Sequence, residues 1–210
     1  MFVGHLALAL GAKRAAPGVN LGWLMASVIA LDLLWPVFVL LGVEHVRIVP
    51  GATAFTPLVF DHYPWTHSLA MAAVWGAAVA ALARWRRVPA TAAWLLAALV
   101  VSHWILDFVS HAADMPLWPG NSPRLGLGLW YSIPLTLAVE GTLWIAAIGI
   151  YVRTRPSPLR RPWAFWSLVA VTTIMWAASP WSPPPPSVQA LGWFGLIGWL
   201  TIPWAAAAER

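Results

Sequence analysis

The sequence predicts an all-α fold, a polytopic membrane bundle of about six transmembrane helices with a short N-terminal helix inserted part-way. Three observations carry that expectation. The 210 residues are 60% hydrophobic and only 9% charged, too little charge to cover the surface of a soluble domain. Seventeen tryptophans suit two membrane interfaces, where indole rings collect. Apolar runs of crossing length recur along the chain, with the basic residues confined to the short loops between them.

Taken in order, the segment MFVGHLALALGA opens like the apolar part of a signal peptide. It lacks a basic start, and Lys13-Arg14 follows where a cleavage site would stand, so it is expected to be retained and to pack on the first full span. A helix needs about 20 apolar residues to cross about 30 Å of hydrocarbon. Spans are expected at 21–43, 66–84, 90–113, 129–152, 163–179 and 188–208. The longest loops between them are 44–65 and 114–128. The loop WSPPPPS (181–187) is too proline-rich to be helical throughout. There is no internal repeat. Chemically the chain divides: residues 1–152 carry every histidine and every carboxylate but Glu209, and 153–210 read as two scaffold helices of the same membrane domain.

The net charge of +5 does not indicate nucleic acid, because the charges lie in loops where they orient a membrane protein. Lys13, Arg14, Arg84, Arg86, Arg87, Arg153, Arg155, Arg160, Arg161 and Arg210 fall on one side of the expected bundle, against Arg47 and Arg124 on the other. That bias puts both termini at the cytoplasmic face. With no cysteine, disulfides and thiolate metal sites are excluded.

Ionisable side chains inside spans are costly and normally face a partner or a watery cavity. Here they are Asp32 in the first span, His67 at the start of the second, His103, Asp107 and His111 along the third, Glu140 in the fourth, and His5 in the short first segment. His103, Asp107 and His111 are four residues apart, so on one helix they share a stripe. An H-x-x-x-D pair presents an imidazole nitrogen and a carboxylate oxygen to one point, as a divalent ion with N/O ligands requires. Estimated depths let the set converge in the outer half of the membrane. No basic side chain lies in any span to pair with these acids. A metal site, a proton or ion relay, and purely structural polar contacts are the three readings. His45, Glu44 and Asp114, at the outer edge, read as solvated loop residues.

Gly4-His5, Asp32 in LDLLWP, HYPWTHSL (62–69) and SHWILDFVSHAADMPLWPG (102–120) resemble the bacterial membrane-bound, metal-dependent hydrolase family, which includes inner-membrane hydrolases described as LexA-binding. The resemblance covers roughly residues 1–120. The acidic element keeps one aspartate and lacks the second acid and the histidine after it, which favours one metal ion over two. The family is similar, distantly, to zinc phospholipase C and P1-type nucleases.

What the resemblance implies is specific. Asp32, His67, His103 and Asp107 would hold a divalent metal, zinc first, with His5, His111 and Glu140 serving additional ions. The activity would be hydrolysis of a phosphoester, membrane lipids and other amphiphiles among the substrates, in the bacterial cytoplasmic (inner) membrane. Glu140 and His111 are candidates to accept the proton of the attacking water. His62, Thr66 and Ser68 would orient His67. LexA binding is not implied, since no cytoplasmic docking element is evident. The alternatives are an ion or proton transporter using the same residues, or a non-catalytic membrane protein with a structural metal.

Overall fold

A computed structural model describes residues 1–154 and 159–209; Arg155 and Arg210 lie outside the described residues. Among the described residues the structure is mostly helical, with two small hairpins. Helices α1 (Val3–Ala12), α2 (Leu21–Val28) and α3 (Ala30–Leu40) lead into a hairpin of β1 (His45–Ile48) and β2 (Leu58–His62). The short turn α4 (Pro64–His67) precedes α5 (Leu69–Trp85) and α6 (Ala90–Ser110). A second hairpin, β3 (Met115–Pro116) with β4 (Arg124–Leu125), leads to α7 (Ile133–Thr154), α8 (Pro162–Ala178), α9 (Val188–Leu196) and α10 (Thr201–Ala207). Both hairpins are antiparallel, and the first has a bulge between His45 and Val46.

The expected six spans are not what forms. Three helices are long and apolar enough to cross a membrane: α6, α7 and the near-continuous run Val188–Ala207. The pair α2–α3, bent by 53°, makes a fourth if counted as one span. Two expected spans fall short for local reasons. The one at 66–84 loses its start to α4 and to Ser68, which turns extended and caps α5 through Met71 N at 3.2 Å. The one at 163–179 gives a 17-residue helix, about 26 Å long, that ends in a 3-10 turn at Ser179–Trp181 before the proline run.

The bend at Ile29 has a visible cause. Ser27 Oγ bonds back to Trp23 O at 2.9 Å, a contact that bends helices. Further along, Pro36 inside α3 cannot donate to the carbonyl one turn back, at Asp32. Close packing steadies the kinked segment: a Cβ on Gly195 of α9 would stand 2.7 Å from Pro36 Cβ, so only glycine lets the two helices meet there.

Helix α1 is not peripheral. Val3, His5, Leu6, Ala9 and Leu10 are all buried in the main core with Leu21, Leu24, Leu96, Trp144 and Phe165. A second cluster, with Trp35, Val46, Tyr63, Trp104 and Met115, lies where the hairpins pack on α3 and α6. The outer faces of α7, α8 and α9 are apolar: Ile145, Ile174, Trp193 and Phe194 are all well exposed, a surface suited to lipid. One expected loop charge is absent from the surface. Lys13 is buried, with Nζ bonded to Glu209 Oε2 at 2.9 Å and Val19 O at 2.6 Å.

Candidate metal centre

Three elements bring four side chains together. Asp32 comes from α3 just past the bend, His67 from the last residue of α4, and His103 and Asp107 from successive turns of α6. His103 Nε2 lies 3.0 Å from Asp107 Oδ2 and 3.6 Å from Asp32 Oδ1. His67 Nε2 lies 3.5 Å from Asp32 Oδ1 and 3.8 Å from Asp107 Oδ2. Ligands at about 2.0–2.1 Å from a tetrahedral zinc ion stand about 3.3–3.4 Å from one another, and these four separations, 3.0–3.8 Å, bracket that value.

Both imidazoles are held in the tautomer that metal binding needs. His103 Nδ1 donates to Val28 O at 2.6 Å. That carbonyl belongs to the last residue of α2, where the break leaves helix-end acceptors without intrahelical partners. His67 Nδ1 donates to Thr66 Oγ1 at 2.7 Å, and Thr66 in turn donates to Glu44 Oε2 at 2.6 Å. Each Nε2 is the ring nitrogen turned toward the cluster, and that of His103 is buried 3.0 Å from Asp107 Oδ2. Two aspartates and two neutral imidazoles balance a divalent charge and form an N/O set of the kind zinc takes. His103, His67 and Asp107 are buried; Asp32, with its side chain 48% exposed, is the open edge.

His5 joins the cluster from α1. Its ring stacks flat on His103 at 3.7 Å, and Nε2 sits 3.0 Å from Asp107 Oδ1. The grouping of His5, His103 and Asp107 overlaps that of Asp32, His67 and His103, and either could hold an ion. The amino group of Met1 also pairs with Asp107 Oδ1, and bonds Ser110 Oγ at 3.0 Å.

Other expected residues stand elsewhere. His111 does not continue the stripe, because α6 ends at Ser110 and residue 111 turns extended (ψ 157°). Its Nδ1 bonds Asp114 Oδ1 at 3.0 Å, and its ring lies on Trp130 at 4.3 Å and Phe60 at 4.8 Å. Tyr63 donates to the same Asp114 oxygen at 2.7 Å; burial, then the Asp114 charge, pushes its phenol well above the usual range. Glu140 is fully buried, but Oε2 accepts from Phe2 N at 2.8 Å and Gly4 N at 3.2 Å, which makes it the remote cap of α1. Its Oε1 has no partner. His62 is exposed on β2 opposite His45, on strand backbone that turns it from His67. Ser68 is spent capping α5, and of the three expected orienting residues Thr66 is the one that bonds His67.

Glu44 is the functional residue that sequence reasoning placed wrongly, as a solvated loop acid. It is 1% exposed, and its Oε1 accepts from Trp65 N at 2.8 Å and Thr66 N at 2.9 Å. The signal was indirect. Pro64 opens α4 and Tyr63 gives it no side-chain cap, so the first turn needs an acceptor from elsewhere.

Fold and site together define a helical protein, with helices long and apolar enough to cross a membrane, built around a buried His/Asp cluster of metal-binding composition. Comparisons with protein-family profiles, with curated proteins and with solved structures return no match.

Proposed function

We propose that this protein is a membrane-embedded, metal-dependent hydrolase of phosphoesters. The observation that carries the reading is the convergence of His67 Nε2, His103 Nε2, Asp32 Oδ1 and Asp107 Oδ2, with both Nδ1 atoms already committed as donors. The motif resemblance to membrane-bound metal-dependent hydrolases supports the same chemistry.

A divalent ion, zinc first, would be held by these four residues and would supply Lewis acidity toward the phosphoryl group and toward water. The protein's own groups do the rest. Glu44 and Thr66 hold the His67 ring, and Val28 holds the His103 ring. Asp32, at the open edge, faces the side from which a substrate arrives. His5 is the imidazole closest to the cluster outside the four, and we assign it the proton of the attacking water in place of His111 and Glu140. His111 is spent on Asp114, and Glu140 on the backbone of α1.

The test is elemental analysis of protein purified without chelator, alongside turnover of a phosphoester panel. Near-stoichiometric metal, lost in Asp107→Ala and His103→Ala together with turnover, is the expected result. Wild-type protein that takes up neither zinc nor manganese would sink the reading.

A further inference from the structure

One face of Asp32 looks into a slot of about 380 Å³ between α1, α3, α8 and the C-terminal helices. Phe2, Leu6, Leu33, Val171, Met175 and Phe194 are among its walls. Asp32 is the one ionisable side chain lining it. The mouth is on the apolar outer surface: Met175 is 57% and Phe194 66% exposed, and each also lines the slot. A slot that opens for water would be rimmed with polar groups; this one is rimmed as for hydrocarbon. Trp35 lines the same slot with its ring, but its indole nitrogen faces no open space, so Asp32 is the charged group that a ligand there meets.

We infer that this slot holds a single acyl or alkyl chain of an amphiphilic phosphoester, entering sideways from the bilayer. The head group meets the cluster at Asp32. The inference rests on the proposed metal centre, because without a cation the Asp32 carboxylate would repel an anionic head group. The polarity argues for this occupant over an apolar helix of a second copy, which would bring nothing for the Asp32 carboxylate and the centre beside it. The volume argues for one chain: it falls near the lower limit of small-molecule pockets, about 300–1,000 Å³.

The test uses full-length protein in lipid nanodiscs with a non-hydrolysable long-chain alkylphosphonate carrying a diazirine near its far end. Photolysis and peptide mapping locate the chain. Labelling should fall on Val171, Met175 and Phe194, and excess dodecylphosphonate should compete while butylphosphonate does not. Gly198→Phe fills the slot, since a Cβ there meets only Leu33 Cδ2 at 3.9 Å; Val171→Trp fills it from the other wall. Both variants should lose slot labelling and keep the wild-type metal content, which also shows that they fold. Labelling spread evenly over the exposed faces of α7 and α8 and untouched by both variants overturns the inference. So do chain-to-chain cross-links through the slot, which would assign it to a second copy. Slot labelling in protein that binds no metal would leave the chain site standing and remove the centre; metal without slot labelling would do the reverse.

Discussion

Glu44→Gln isolates what holds His67. Glu44 Oε2 can only accept, so the Thr66 hydroxyl donates to it and must itself accept from His67 Nδ1. That order makes His67 Nε2 a lone pair. In the glutamine variant the two backbone donors of Trp65 and Thr66 keep the amide oxygen, because they need an acceptor. The amide NH₂ then faces Thr66 and donates to it. The hydroxyl proton swings to His67 Nδ1, and Nε2 acquires the ring proton. A metal must reverse this chain of buried donors before it can bind. Loss of such an orienting partner costs about 10- to 100-fold in metal affinity, equivalent to about 1.4–2.7 kcal/mol. Thr66→Val should cost a similar amount, and Thr66→Ser should restore most of it. The assay is zinc competition against a chromophoric chelator in detergent, with thermal unfolding of the metal-free proteins as a control for folding. Wild-type zinc affinity in folded Glu44→Gln protein refutes the reasoning.

Three other changes separate roles within the same region. His5→Gln should keep its metal, read by elemental analysis, while turnover falls about 100- to 10,000-fold, the range for a lost proton acceptor; metal lost in proportion would make His5 a ligand instead. Glu140→Ala should destabilise by about 1–3 kcal/mol for the buried donors left unpaired at the start of α1, measured by denaturant unfolding in detergent, and Glu140→Gln should be milder. On the first hairpin, the hydrogen bonds from Arg47 at 2.7 and 2.9 Å hold the Asp61 carboxyl below its usual range. A lowered folded pKa gives a contribution that is complete above the ordinary carboxylate value and is lost as pH falls through the lower folded one. Both side chains are well exposed and screened, so Arg47→Ala should raise the Asp61 midpoint by carboxyl NMR with no change in metal content.

The His/Asp juxtaposition on α6 was legible because it rests on short-range geometry. His103 and Asp107 are one helical turn apart, and any helix over 90–110 presents them together. Asp32 and His67 were reachable by depth along their spans. What was not legible depends on where helices stop. His111 looked like the next step of the stripe, but α6 ends one residue earlier. The span count failed for the same reason: Ser68 and the turn at Ser179 cut two apolar runs that hydropathy alone reads as continuous. Glu44 and Glu140 were misjudged because each serves a helix start distant in sequence, at α4 and α1, and no local pattern announces a remote cap. Lys13 counted as a loop charge because its partner, Glu209, lies at the other end of the chain.

The central claim is that Asp32, His67, His103 and Asp107 ligate one ion, and X-ray absorption at the zinc edge of zinc-loaded protein tests it most directly. The account predicts about four N/O scatterers at roughly 2.0–2.1 Å, with the multiple-scattering pattern of two imidazoles, no sulfur, and loss of the signal in His67→Ala and His103→Ala. A zinc environment without imidazole, or one unchanged in those two variants, would contradict it.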